Sequence, residues 1–162
     1  KSDKLLLDLR GNPGGYLEAA IDMASWFLPG SKVVVREDFA GAKDQKVYRS
    51  RGYDIFNDNL KLVILLDKGS ASASEILAGA LREHDRAILV GETTFGKGSV
   101  QELVPITNDT SLKVTVARWL TPNDVSISEK GIEPDFKVER TIEDRNAGRD
   151  PQLDKAIEIL TK

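Results

Sequence analysis

"AILVGETTFGKGSVQELVPI", residues 87–106, can be read in two ways that lead to different folds. An apolar strand ends at Gly91, and a short turn carries Gly96 and Lys97. If a helix followed, this would be a phosphate-binding loop, with the lysine and the helix N-terminus closing on an anion. If a strand followed, Lys97 would stand on a tight β-turn. The residues after Lys97 favour the strand, because "GSVQELVPI" is β-like, with a β-branched Val, Gly98 and Pro105. The hydroxyl that should follow the lysine and hold magnesium is displaced to Ser99. The nucleotide reading fails on both counts. An exposed lysine on a turn and a lysine with a chemical task both remain open.

Outward from this stretch, strand and helix signals alternate. "KLLLDLR" (4–10) is a buried-type strand stopped by "GNPGG" (11–15). In "YLEAAIDMASWFLPG" (16–30), Leu17, Ala20, Ile21, Ala24, Phe27 and Leu28 recur at helical spacing until Pro29-Gly30. "KVVVRE" (32–37) is strand-like, and residues 38–60 are polar, with a hairpin arm at "QKVYRS" (45–50). "KLVILLD" (61–67) reads as a central strand. "GSASASEILAGALRE" (69–83) reads as a helix with Ile76, Leu77, Ala80 and Leu81 on one face. "LKVTVARWL" (112–120) is again β-like, and "TPNDVSISEKGIEPD" (121–135) is turn-rich. "PQLDKAIEILTK" (151–162) is an amphipathic helix with Leu153, Ile157 and Leu160 on one side. No repeat, linker or low-complexity segment interrupts the pattern. The reading is one α/β domain with a mixed β-sheet and packed helices.

Composition narrows the chemistry. The 162 residues carry a formal net charge of -3, with 40% hydrophobic and 30% charged residues. That suits a globular domain with a core and offers no basic footprint for nucleic acid or an anionic membrane. The longest apolar run, "LKLVILL", is far short of the roughly 20 residues of a membrane helix. There is no Cys, which removes thiol catalysis, disulfides and Cys-metal sites, and a lone His84 builds no histidine metal centre. In the polar stretch "REHDR", His84 reads as solvated. A chain that starts at Lys1 and runs almost at once into an apolar strand reads as a fragment or a processed product.

"GSASASE" puts Ser70, Ser72 and Ser74 where a strand gives way to a helix. A nucleophile there gains nearby backbone N–H groups and a positive helix end. The plainer reading is a capping box, with Ser72 as the cap and Glu75 reaching back. A catalytic serine needs a base; His84, a few turns away in a polar stretch, is a poor candidate that the sequence alone leaves open. A lysine base is a recognised variant of the serine triad. A lysine accepts a proton only when neutral, which requires desolvation. Lys97, set between small and apolar residues, is the candidate. "GNPGG" offers glycine N–H groups for an oxyanion, or is simply a turn.

These pieces occur in a recognisable order. The chain resembles the carboxyl-terminal processing proteases, also called tail-specific proteases. The matching stretches are "DLRGNPGG" (8–15), "GSASASEILAGAL" (69–81), "ILVGETTFGKGSVQ" (88–101), "GIEPD" (131–135) and "DPQLDKAIEIL" (150–160). Each alone is modest; together they span nearly the whole chain in the family's order. The resemblance implies a Ser–Lys dyad with Ser72 as nucleophile, Lys97 as base and Gln101 in support of the lysine. It implies the N–H groups of Gly15 and Ala73 as oxyanion donors, and a crotonase-like fold.

The resemblance also implies a serine peptidase that acts near the C-termini of protein substrates, without metal or nucleotide, in an exported location such as the periplasm, cell envelope or an organelle lumen. Residues 1–162 would be its catalytic core, incomplete on the N-terminal side. Family members usually carry a helical region and a substrate-binding PDZ domain before the stretch matching "LLLDLR". For the chain alone this leaves two expectations: weak activity, or a fold completed by a second copy. The alternative reading from another class is a non-catalytic peptide-binding module on the same fold. A crotonase-type acyl transferase is a third, without a coenzyme surface to support it.

Overall fold

The computed structural model describes residues 2–56 and 59–162; positions 57 and 58 of the polar 38–60 stretch lie outside it. In chain order the elements are β1 (Lys4–Asp8), α1 (Leu17–Ser25), β2 (Val33–Asp38), β3 (Lys46–Arg49), β4 (Lys61–Leu66), α2 (Ala73–Glu83), β5 (Ile88–Gly91), β6 (Ser99–Pro105), β7 (Ser111–Leu120), β8 (Phe136–Lys137), α3 (Ile142–Asn146) and α4 (Pro151–Thr161).

The strands form two four-stranded sheets. One is parallel throughout, in the order β1-β4-β5-β8; the other is antiparallel, in the order β3-β2-β7-β6. The mixed α/β architecture is therefore present, with its parallel and antiparallel strands in separate sheets. Strand β4 lies inside the parallel sheet, and Leu62 through Leu66 are all buried. Its two faces serve two clusters, as strand alternation requires. Leu62, Ile64 and Leu66 pack with α1, α2 and β2; Val63 and Leu65 pack with Ala156 and Leu160 of α4. On α2, Ile76, Leu77 and Leu81 are buried, each contributing about 1.5–3 kcal/mol of hydrophobic stabilisation.

The segment after Lys97 is β6, which pairs antiparallel with β7. No helix follows the glycine turn, so the phosphate-loop context is missing. Gly91 has a different reason to be glycine. At φ +130, a Cβ there would lie 2.0 Å from the Leu66 carbonyl oxygen, so the residue allows the close approach of β5 to the end of β4.

Some expectations are corrected. The buried face of α4 is Gln152, Ala156 and Leu160, while Ile157 is 49% exposed. His84 is not simply solvated: it ends α2, partly buried, with Nε2 2.7 Å from the Val33 carbonyl oxygen. The two short elements β8 and α3 had no signal strong enough to be read.

The parallel sheet sets up the site. Because β1, β4 and β5 run the same way, their carboxyl ends share one edge, where ligands bind in open α/β sheets. The turns after them carry "GNPGG", "GSASAS" and "TTFGK" respectively.

Candidate active site

Three serines enter the turn after β4, and their surroundings separate them. Ser70 is fully buried; its hydroxyl donates to the Leu9 carbonyl oxygen (2.8 Å) and accepts from the Asp67 N–H (3.0 Å). The Ser74 hydroxyl donates to the Asn12 carbonyl oxygen at 3.2 Å. Both hydroxyls are committed to holding the turn together. Ser72 is partly accessible; its hydroxyl lies in a capping-box arrangement with the Glu75 N–H but makes no close hydrogen bond there. The Glu75 N–H bonds the Ser72 carbonyl oxygen at 2.9 Å.

Ser72 sits at φ 56, ψ -118, a left-handed conformation that costs a serine about 1–3 kcal/mol. Such strain at a strand-to-helix turn lifts the side chain out of the helix path. Gly14 braces it from outside. At φ +95, a Cβ on Gly14 would meet the Ala71 carbonyl oxygen at 2.5 Å, the Ala73 nitrogen at 2.8 Å and the Ser72 Cβ at 2.8 Å. Only glycine lets the two turns come so close.

The backbone donors are placed consistently with an anion site. Ala73 opens α2, and among the described residues its N–H and that of Gly15 have no protein acceptor. A Cβ on Gly15 would meet nothing within 4 Å, so that residue faces open space. Gly14, Gly15, Tyr16, Ala20, Met23, Ala73 and Leu77 help line a largely apolar cleft of about 120 Å³ beside Ser72.

Glu75 links this turn to the lysine loop. Its side chain is fully buried. One oxygen, Oε2, accepts from the N–H groups of Ser72 (2.7 Å) and Lys97 (3.0 Å). The other, Oε1, accepts from the Thr94 hydroxyl (2.5 Å) and the Gly96 N–H (2.7 Å). The Thr94 hydroxyl in turn accepts from the Ile132 N–H at 2.7 Å. The spacing Ser-x-x-Glu revealed the first of these bonds as part of a capping box. The rest, like the bracing by Gly14, are long-range and left no mark at that spacing.

The structure departs from expectation at Lys97. Its backbone is tied to the Ser72 turn, but its side chain is exposed rather than buried. Among the described residues, no hydrogen bond joins Lys97 Nζ to Ser72 Oγ. Gln101 is also exposed; it lies on β6 opposite Thr115, next to a bulge in the β6–β7 pairing. His84 is at the far end of α2, about 18 Å from Ser72 at 1.5 Å per residue, out of reach as a base.

The sequence model of Peptidase family S41 matches residues 1–138. The chain is 42% identical to a carboxyl-terminal-processing protease of Synechocystis sp., over 99% of this chain and 37% of that protein. It is 40% identical to a carboxy-terminal-processing protease of Bartonella bacilliformis, over 94% of this chain and 35% of that protein. It thus spans little more than a third of the length of these relatives. Among solved structures, a photosystem II D1 C-terminal processing protease superposes with a TM-score of 0.78 at 32% identity, covering 99% of this chain and 39% of that one. The tricorn protease, at 19% identity and a TM-score of 0.64, shares the fold.

Proposed function

The chain belongs to peptidase family S41, and from that premise we propose that it carries the acyl-transfer site of a carboxyl-terminal processing peptidase. Ser72 is the nucleophile, Lys97 the general base, and the N–H groups of Gly15 and Ala73 the oxyanion donors. Gln101 orients the lysine. One observation carries the reading: of three serines in the turn, Ser72 alone has a hydroxyl without a close hydrogen bond among the described residues, and it lies beside two backbone N–H groups without acceptors among them.

In the first step Ser72 Oγ attacks the scissile carbonyl carbon, and its proton passes to neutral Lys97. The carbonyl oxygen gains charge between the Gly15 and Ala73 N–H groups, where fixed donors stabilise the transition state most. Collapse breaks the C–N bond, and Lys97 returns the proton to the leaving amine. Water then releases the acyl group with the lysine again as base. Because Lys97 is exposed in the described chain, the burial that a lysine base requires is to come from the bound substrate. The apolar cleft beside Ser72 suits an aliphatic side chain on the acyl side of the cut bond.

Substrate tails, their capture by a PDZ domain, a homo-oligomeric assembly and an exported location complete the proposal; similar proteins of Arabidopsis thaliana and Tetradesmus obliquus are named chloroplastic. The exposure of Lys97 favours a second reading, a peptide-binding module with little or no catalysis. Peptide digests with the full-length protein separate the two. Cleavage that disappears in Ser72→Ala while the melting temperature stays close to wild type supports the peptidase. Peptide binding without cleavage in the wild type supports the module.

A further inference from the structure

The motif "DPQL" at 150–153 lies beyond the residues matched by the family model, and the chemistry above gives it no role. In the fold it meets Arg10, the residue directly before the Gly11–Gly15 loop. The Arg10 fork grips Asp8 through Nε (2.9 Å) and Nη2 (2.7 Å). Its Nη1 donates to both oxygens of Asp150 (2.9 Å each) and to Gln152 Oε1 (3.0 Å). Gln152 is buried and anchored by donation from Nε2 to the Val138 carbonyl oxygen at 2.8 Å. Asp150 also caps α4 by accepting the Leu153 N–H at 3.1 Å.

This network is more than α4 needs for docking. Ala156 and Leu160 already seat the helix against Val63, Leu65 and Val90. Side-chain exposure is only 15% at Arg10 and 18% at Asp150, so the ions are largely desolvated. Buried ion pairs contribute little net stability against apolar packing, but they fix one geometry. The geometry fixed here is that of the loop. Beyond Arg10, the Gly11 N–H donates to Asp67 Oδ1 (2.8 Å), and the Asn12 carbonyl oxygen accepts from the Ala71 N–H (3.0 Å). The loop is thus held at its base by α4 and along its length by the Ser72 turn, while the Gly15 N–H has no acceptor among the described residues.

We propose that Arg10, clamped by Asp150 and Gln152, is a positioning residue through which the C-terminal helix sets the Gly15 N–H at the oxyanion site. The inference rests on the acyl-transfer reading. A misplacement of about 1 Å in such a site costs about 10²-fold in rate, and lysine, a point charge, does not reproduce the bidentate fork.

The test uses the full-length enzyme with Arg10→Lys and, in case that variant folds poorly, the near-isosteric Asp150→Asn. Active sites are counted with a fluorophosphonate label, and kcat is expressed per labelled site, with KM measured on the same peptide. A kcat per site lowered about tenfold or more, with KM within about twofold of wild type, is the expected result. A merely structural clamp would reduce the labelled fraction and Tm but leave the remaining sites turning over normally. A kcat per site within about twofold of wild type in both variants overturns the proposal. Undiminished cleavage by Ser72→Ala would instead sink the acyl-transfer reading, whatever Arg10 does.

Discussion

Ser72 and Lys97 are joined through a single atom: Oε2 of Glu75 accepts the backbone N–H of each, at 2.7 and 3.0 Å. The turn after β4 and the turn after β5 are thus held together by one buried carboxylate, and the two proposed reacting residues ride on those turns. All four of its partners are donors: two N–H groups on Oε2, a hydroxyl and an N–H on Oε1.

Glu75→Gln is therefore expected to fail although it is nearly isosteric. An amide presents an NH₂ where only acceptors fit, so at least one buried donor loses its partner. That costs about 1–3 kcal/mol, a loss of several degrees in Tm for a domain of this size. Cleavage by the full-length protein should fall with it as the two turns drift apart. Thermal melting and a peptide digest of the same preparation check both effects. A Gln variant with wild-type Tm and wild-type rate would show that the carboxylate bridge does not matter.

The adjacent glycines of "GNPGG" should behave differently. Gly14→Ala forces a Cβ into the Ala71 carbonyl oxygen and the Ser72 Cβ at a positive φ, so both fold and cleavage should suffer. Gly15→Ala meets nothing within 4 Å and should leave the Tm within about 2 °C of wild type, a shift no larger than that of an ordinary surface substitution. Melting curves of the two variants decide it. Equal destabilisation would mean that the loop is not braced as described.

How much of this was legible before the structure differs by element. The run "KLVILLD" and the helix after it were readable because a buried parallel strand and an amphipathic helix write continuous signals along the chain. Strand β8 has two residues and helix α3 five, too few for any period to show. His84 looked solvated because its neighbours in sequence are charged, yet at the end of α2 it reaches a carbonyl 51 residues away. The expected burial of Lys97 failed for the same reason in reverse. Small and apolar neighbours in sequence suggested burial, but burial is decided by what packs above a side chain. The Ser-x-x-Glu spacing revealed one of the four Glu75 bonds because only that one is local.

Asp150 offers a prediction in pH. Burial alone would raise its carboxyl, but hydrogen bonds from Arg10 and the Leu153 N–H, with the charges of Arg10 and Arg140, hold it below the ordinary aspartate range. A depressed native value stabilises the fold at pH values above the unfolded-state range. That contribution is lost as pH falls through the native value. Asp150→Asn should therefore lower Tm at neutral pH, and the gap to wild type should close as pH drops below about 4. Paired melts across that range measure it. A gap that stays constant with pH would show that the Asp150 charge contributes nothing.

Gln101 should act on rate and not on titration. It is exposed on β6, and an amide does not ionise near neutral pH. Gln101→Ala in the full-length protein is expected to lower kcat while the pH–rate profile keeps its shape. A profile displaced along the pH axis would mean that the residue does more than orient the lysine.

Lys97 gives the sharpest separation between structure and chemistry, because its side chain is exposed. Substitutions there remove no buried contact, and the backbone N–H that binds Glu75 is kept whatever the side chain. Lys97→Ala and Lys97→Arg should accordingly leave Tm almost unchanged. If Lys97 takes the Ser72 proton, both should nevertheless lose cleavage by on the order of 10³-fold or more, as when a member of a catalytic triad is removed. Arginine retains the charge but stays protonated, so it cannot serve as a base. A lysine that merely attracted an anionic group, or stood on a turn, would be replaced by arginine at small cost. The measurement is kcat/KM for a peptide substrate with wild type, Ala and Arg forms of the full-length enzyme, beside their melting temperatures. An Arg form that keeps more than about a tenth of the wild-type value, a deficit under about 1.4 kcal/mol in transition-state stabilisation, would remove Lys97 as the base.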